Sequence, residues 1–319
     1  MQTASHFIAV DWGTTRLRAF LCSIKPDGSL TLVTRSAGLG VSKSPLSFED
    51  TLMQCISPWE FEHGKLPVLM SGQIGSSIGW KETAYLPCPI SPQELAKSCV
   101  HFNCNGYDIS VIPGLSCQLE NDNYDCMRGE ELQILGWLQL AEENQKGRHL
   151  VCLPGTHTKW VLVEDGKIKL FKTALTGELF DLIANHSVLI QEKSKLFNQE
   201  AFDCGAAFTL NSEMGSFMHG LFSVRSRQLF GQLGKDEATS YLSGLLIGSD
   251  IRAAMNATEW DLTKIDKVSI IGAPHLSRCF SRVLESQSLK TEICKVTATT
   301  LLGFNSVFQS TNHLNKQNA

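Results

Sequence analysis

The feature that most constrains this chain is a pattern that occurs twice. "FIAVDWGTTRLRAFLCSIKPDGSLTLVTRSA" begins at Phe7, and "RHLVCLPGTHTKWVLVEDGKIKLFKTAL" begins at Arg148. Each is an apolar run, a tight turn carrying Gly-Thr, a basic residue, a second apolar run, an Asp-Gly turn and a third run. Strand residues alternate faces, and Gly, Asp and Thr are turn formers, so each copy is predicted to form a meander of three strands. The likeness lies in the pattern rather than in a residue-by-residue repeat. Two such openings about 140 residues apart, each followed by helical segments, imply two similar α/β domains. The boundary is expected near Gly147, giving domains over 1–147 and 148–319.

Between the meanders, "SPLSFEDTLMQCISPW" has helical apolar spacing, with Ser47 as its N-cap. "KLPVLMSGQIG" reads as a short buried strand entering a glycine-rich loop, and "RGEELQILGWLQLAEENQKG" as one long amphipathic helix ending near Gly147. In the second half, "TGELFDLIANHSVL" and "EATSYLSGLLIGSDIRAAM" read as helices, the latter amphipathic. "KVSIIGAPHLSRCFSRVLES" reads as a buried strand, a Gly-Ala-Pro turn and a helix. A strand around "TEICKV" leads into a last helix at about 298–311, which is expected to pack back on the N-terminal domain.

Composition narrows the function classes. A net charge of −4 over 319 residues lacks the basic excess of a nucleic-acid binder. No apolar run approaches the roughly 18 residues of a membrane span. "MQTASHFIAVD" lacks a basic segment and apolar core, so no signal peptide is read there. Eleven scattered cysteines contain no C-x-x-C pair, which fits small buried hydrophobes in a reducing cytosol better than a zinc site or a disulfide framework. A cytoplasmic protein with a small-molecule partner is expected. Neither nucleic acid nor membrane is expected as a partner, and the oligomeric state stays open, with a homodimer among the options.

The turns carry the chemistry. A strand ending in Asp-Trp-Gly-Thr-Thr offers backbone N–H groups and hydroxyls, an arrangement suited to an anion. "PGTHTK" offers the same, and "IIGAPHLS" sets a glycine between a strand end and a helix N-terminus, where a nucleotide can lie against backbone. A nicotinamide-dependent dehydrogenase would want G-x-G-x-x-G after the first strand, and that motif is absent here.

The order of these turns resembles the actin, sugar-kinase and Hsp70-like ATPase superfamily. "DWGTTRLRAF", "SGQIGSSIGWKETAYLPCP", "VIPGLS", "MRGEELQILG", "LPGTHTKWV", "TGELFDLIANHSVL" and "LSGLLIGSDI" together resemble the 2-dehydro-3-deoxygalactonokinase family, from about residue 7 to about residue 305. The resemblance implies two ribonuclease H-like α/β domains of the actin-like ATPase fold, with an active-site cleft between them. It also implies ATP-dependent phosphorylation, with Mg²⁺, of the O6 hydroxyl of 2-dehydro-3-deoxy-D-galactonate. A kinase for a related acid such as 2-dehydro-3-deoxygluconate, or a non-catalytic ATP-binding regulator, are the alternatives.

Roles follow residue by residue. Asp11 would hold Mg²⁺ through water, consistent with the preference of that ion for few carboxylates and several waters. Gly13, Thr14 and Thr15 would wrap the transferring phosphates, with Arg16 or Arg18 neutralising charge. Gly155, Thr156, Thr158 and Lys159 match the second phosphate turn. Gly244, Gly248, Gly272, Ala273 and Leu276 would form the adenine side, with close helix packing as a competing explanation for Gly244 and Gly248. Ser71, Gly72, Ile74 and Gly75 would present N–H groups to the sugar acid, with Trp80, Lys81 and Arg128 beside it, and plain core packing is an equal reading for Trp80. Glu130 is the first choice for the group that accepts the hydroxyl proton. Glu131 is second, Asp125 is the competitor and Asp122 a weaker one. Neighbouring helical residues point about 100° apart, so only one of the two glutamates can face the substrate.

Overall fold

A computed structural model describes residues 5–194, 196–211 and 217–317. Its contacts divide the chain into two compact units. Unit 1 comprises 1–147, 163–170 and 296–319, and unit 2 comprises 148–162 and 171–295.

Unit 1 opens with the first meander: β1 (Ser5–Trp12), β2 (Arg16–Ile24) and β3 (Leu30–Leu39). Then come α1 (Phe48–His63), β4 (Val68–Ser71), β5 (Tyr85–Pro87), α2 (Pro92–Lys97), β6 (Val100–Cys104), β7 (Tyr107–Val111), β8 (Gly114–Gln118), β9 (Tyr124–Met127) and α3 (Glu130–Leu138). Six strands form a sheet in the order β3-β2-β1-β4-β7-β6. β4 pairs in parallel with both β1 and β7, while β1–β2 and β2–β3 are antiparallel. Burial of Ile8, Val10, Leu17, Leu21, Val68, Met70 and Ile109 supplies the sheet's contribution to the core, into which α1 inserts Leu52 and Ile56. Ser47 caps α1 as read from the sequence, its side chain accepting the Asp50 N–H at 3.0 Å.

Unit 2 holds the second meander, β10 (Arg148–Leu153), β11 (Thr158–Glu164) and β12 (Lys167–Ala174). α4 (Thr176–His186), α5 (Gln199–Asn211), α6 (Phe217–Leu229), α7 (Lys235–Met255), β13 (Val268–Ile271), α8 (Pro274–Ser286) and β14 (Thr291–Cys294) follow. The five strands run β12-β11-β10-β13-β14, with β10, β13 and β14 parallel. The tip of the β11–β12 hairpin counts with unit 1, because Ile168 forms a β-bridge with Ile90. α9 (Val296–Gln317) also belongs to unit 1, where Phe308 stacks on Phe7 with ring centroids 4.4 Å apart.

Two helices differ from the sequence expectation. The long helix expected to reach Gly147 stops at Leu138, and a separate 3₁₀ turn covers Glu142–Gln145. Side chains end it: Asn144 donates to the Trp137 carbonyl at 2.8 Å and Gln145 to that of Leu138 at 3.2 Å, taking acceptors that the next helical turn would have used. α7 is not amphipathic, since it buries residues around its whole circumference, among them Tyr241, Leu242, Leu245, Leu246, Ile247 and Ile251. No described helix is long and apolar enough to cross a membrane. All eleven cysteines are free thiols.

Candidate active site

In unit 1, β1 and β4 pair so that Asp11 lies opposite Ser71. The turns that follow both strands therefore leave the same edge of the sheet, where open α/β sheets bind ligands. The turn after β1 is closed by the Gly13 N–H donating to the Arg16 carbonyl at 2.9 Å. It is braced from outside, with Gly40, Val41 and Ser42 donating to the carbonyls of Thr15, Gly13 and Thr14 at 3.0–3.1 Å. Its carbonyls are thus satisfied while Thr14 and Thr15 stay exposed. Gly40 was not foreseen. A Cβ there would lie 2.4 Å from backbone atoms of this turn, so only glycine admits the brace.

Asp11 is 18% exposed and forms an ion pair with Arg18, its cross-strand partner. Burial raises its carboxyl above the usual carboxylate range, and the Arg18 charge and hydrogen bond partly offset that rise. Arg16 and Arg18 share the exposed face of β2, and it is Arg18 that reaches the carboxylate.

The loop after β4 is more enclosed than expected. Gly72 takes φ +97°, and a Cβ on it would meet the Trp12 carbonyl at 2.9 Å. Ile74 is fully buried in the core, and the Gly75 N–H is used within the turn by the Gly72 carbonyl at 3.1 Å. Trp80 packs between Phe48 and Phe102, with ring centroids 6.5 and 5.2 Å away. Apolar packing therefore claims the side chains of Ile74 and Trp80, and turn closure claims the Gly75 amide. Lys81 is exposed. Arg128 is turned inward: its guanidinium donates to the hydroxyl of Thr83 and, at 2.9 Å, to the Thr83 carbonyl, and lies 4.3 Å from the Tyr85 ring centroid. It ties a loop to the β5-β8-β9 sheet rather than projecting a free charge.

α3 starts at Glu130, after Gly129 at φ +110°. Glu130 is half-buried, and its carboxylate accepts the Arg128 N–H at 3.2 Å. Glu131 is 0% exposed. Both of its oxygens accept the Gly129 N–H, at 2.8 and 2.7 Å, and the Ser71 hydroxyl approaches at 3.5 Å. Burial, followed by the neighbouring Glu130 charge, pushes the Glu131 carboxyl up to about 8. Asp125 accepts the N–H of its neighbour Cys126 at 2.7 Å within β9, and Asp122 is exposed and accepts from Gln118.

In unit 2, the Gly155–Thr156 turn joins β10 to β11 and is held by the start of α4. Glu178 donates its N–H to the Thr156 carbonyl at 2.9 Å, and a Cβ on Gly177 would lie 2.3 Å from the Gly155 carbonyl oxygen. Beside the turn is a cavity of about 370 Å³, lined by Gly155, Thr156, Thr158, Thr176, Ile247 and Leu276 among others. Two segments singled out in the sequence, the Gly-Thr turn and the start of α8, therefore meet there. Gly272 and the α8 N-cap, Ala273, precede that start without lining the cavity, and a Cβ on Gly272 would lie 3.0 Å from the Pro154 carbonyl oxygen.

Three residues assigned to the nucleotide are placed elsewhere. A Cβ on Gly244 would meet the Phe202 carbonyl at 2.0 Å, and one on Gly248 the Thr209 hydroxyl at 2.4 Å. Both glycines let α5 and α7 touch, and the cavity is lined by other α7 residues such as Ser243 and Ile247. Lys159 is buried and donates to the Thr173 hydroxyl at 2.8 Å, on the strand face opposite Thr158. Two further features were missed: a His157–Glu178 hydrogen bond beside the turn, and a buried carboxylate, Asp250. Asp250 accepts from the Trp160 indole at 2.8 Å and from the Thr176 hydroxyl at 2.5 Å.

This arrangement is that of an actin-like ATPase fold, and the chain is a sugar kinase of that class. A crystal structure of a Sinorhizobium meliloti protein provisionally described as a 2-dehydro-3-deoxygalactonokinase superposes with a TM-score of 0.84 at 30% identity, covering 96% of this chain and 99% of that one. The (R)-2-hydroxyglutaryl-CoA dehydratase component A of Acidaminococcus fermentans shares the fold alone, with a TM-score of 0.50 and 13% identity over 96% of this chain and 99% of that one. Residues 11–307 match the family described as 2-keto-3-deoxy-galactonokinase, and the chain belongs to that family. The 2-dehydro-3-deoxygalactonokinase of Escherichia coli (strain K12) is 36% identical over 256 residues, 77% of this chain and 80% of that protein. A Rhizobium meliloti (strain 1021) protein provisionally given the same name is 35% identical over 295 residues, 91% of this chain and 92% of its own length.

Proposed function

We propose that the protein transfers the terminal phosphoryl group of ATP to the O6 hydroxyl of 2-dehydro-3-deoxy-D-galactonate, in the cytoplasm, as a step of galactonate breakdown. The observation that carries this reading is the junction in unit 1 of the β1 end, the β4 end and the α3 start. There the Ser71 hydroxyl comes within 3.5 Å of Glu131 and a Cβ on Gly129 would lie 3.6 Å from the Gly72 Cα, so the start of α3, with the half-buried carboxylate of Glu130, meets the strand end that pairs with Asp11. Family membership supplies the substrate class.

In this reading the bond between the terminal phosphorus of ATP and its bridging oxygen breaks as a bond from O6 to phosphorus forms, and ADP leaves. The O6 proton passes to Glu130. Glu130 suits that role better than Glu131, whose two oxygens are both turned to the Gly129 N–H inside the protein. Thr14 and Thr15 donate hydroxyl hydrogens to phosphate oxygens, with Gly13 allowing close approach and Arg16 offsetting charge. In unit 2, the cavity beside Gly155, Thr156 and Thr158 takes the nucleotide, with Gly272, Ala273 and Leu276 at its adenine end. Ser71, Gly72 and Lys81 serve the sugar acid, Lys81 facing its carboxylate.

A divalent cation fits the donor set at Asp11. Asp11 is a single carboxylate whose partner here is Arg18, and among the described residues no group of three or more His, Cys, Asp or Glu side chains gathers to hold a metal by protein ligands alone. One carboxylate with retained waters and phosphate oxygens is how Mg²⁺ is commonly held. Bound there, Mg²⁺ would neutralise charge on the transferring phosphates.

The test is an ADP-release assay with ATP, Mg²⁺ and either sugar-acid epimer, with phosphorus NMR of the product. Turnover favouring the galacto acid, with a phosphomonoester on C6, is expected. Tight ATP binding without turnover on either acid would leave a regulator instead, and turnover favouring the gluco acid would reassign the substrate.

A further inference from the structure

We infer that Asp250 is a positioning residue for the nucleotide, acting through the N-terminus of α4 on the Gly155–Thr156 turn. The inference rests on the nucleotide reading of the cavity in unit 2.

Asp250 sits on α7, and its carboxylate is shielded from solvent. Such a group is costly to bury unless its lone pairs are occupied. They are occupied by two donors from different elements: the Trp160 indole N–H of β11 at 2.8 Å and the hydroxyl of Thr176, the first residue of α4, at 2.5 Å. The Thr158 hydroxyl is a neighbour of the same carboxylate and makes no hydrogen bond of normal geometry, although it is fully buried. Thr158 and Thr176 both line the cavity.

The consequence runs along the chain. Fixing Thr176 fixes the next two residues, and those are the ones that hold the turn. Gly177 lies against the Gly155 carbonyl, and the Glu178 N–H bonds the Thr156 carbonyl at 2.9 Å. One carboxylate thereby holds a lining residue of the cavity, Thr176, and through it the pose of the Gly155–Thr156 turn. Nothing in this network belongs to unit 1. Losing the anchor is therefore expected to weaken ATP and leave the sugar acid untouched, which a general loss of stability would not do.

The experiment titrates ATP and 2-dehydro-3-deoxy-D-galactonate separately into wild type, D250A, T176V and D250N. Failure of the wild type to bind ATP would remove the nucleotide reading itself. If the wild type binds, D250A and T176V should each weaken ATP at least tenfold with sugar-acid affinity unchanged. D250N, which keeps the shape and an acceptor for the indole, should recover most of the loss. ATP affinity in both D250A and T176V within twofold of wild type would overturn the positioning role, as would equal weakening of both ligands. If D250A does not fold, T176V decides alone.

Discussion

Asp11 and Arg18 face each other across the first hairpin and form an ion pair at the end of β1. Asp11→Asn keeps the shape and loses the charge, and amide oxygen is a much poorer Mg²⁺ ligand than carboxylate. Turnover should fall roughly 10²-fold or more while the melting temperature stays close to wild type, because the arginine is half exposed. Activity within about threefold of wild type would remove Asp11 from the mechanism. Arg18→Gln deletes the charge that partly offsets the burial of Asp11. The Asp11 carboxyl should then titrate at higher pH, and the acidic limb of a kcat/KM profile should move the same way.

Glu130→Gln removes the proton acceptor with little change in size. A positioned base contributes about 10²–10⁴-fold, so kcat should fall by that range with KM for ATP nearly unchanged. Asp125→Asn should cost far less, since Asp125 bonds its own strand. A silent Glu130→Gln beside a crippling Asp125→Asn or Glu131→Gln would move the base while leaving the kinase intact.

Glu131 makes stability depend on pH. Its folded carboxyl is raised to about 8 from an ordinary 4.5 by burial, then by Glu130, with backbone N–H groups, that of Gly129 among them, and then Arg128 opposing. Below about pH 4.5 both folded and unfolded states hold the proton, and the contribution is fully present. Between 4.5 and 8 the unfolded chain ionises first, so stability declines as pH rises, and the loss levels off above 8. Denaturant titrations should show this decline, and Glu131→Gln, which cannot ionise, should flatten it. Parallel curves for the two proteins would contradict the assignment.

Gly72→Ala strains the loop after β4 twice, through φ +97° and through a contact at 2.9 Å with the Trp12 carbonyl. A loss of about 1–3 kcal/mol is expected in chemical denaturation. Because the loop directly follows Ser71, the last residue of β4 and the partner of Glu131, KM for the sugar acid should rise more than KM for ATP. An unchanged stability would mean that the loop relaxes freely.

The meanders were legible because their signals are local: alternating apolar residues, Asp-Gly turns and a Ser47 cap all act within a few positions. The end of α3 was not, since it depends on Asn144 reaching back to Trp137. The site divided along the same line. Gly13–Thr15 and Gly155–Thr156 stand out as turn chemistry, whereas Gly40 and Gly177, which brace them, are visible only once separate segments have come together. Asp250 gave no sign at all, because an acid in an apolar helix does not announce an indole 90 residues away. Lys159 and Ile74 are placed away from their expected roles for a related reason, while Trp80 takes the core position that was its equal reading. Residue type suggested a ligand, and the face of a strand or the packing of a core decided otherwise.

The return of α9 to unit 1 sets an order for synthesis. A ribosome releases the partners of Phe308 first, Phe7 among them, and Phe308 itself some three hundred residues later. Unit 2, built from 148–162 and 171–295, is complete in sequence before the last helix has emerged. Unit 1 is thus begun before unit 2 and finished after it, and until then the ring at Phe7 lacks the ring that covers it. Chains stalled or truncated before Val296 should be the ones that chaperones retain.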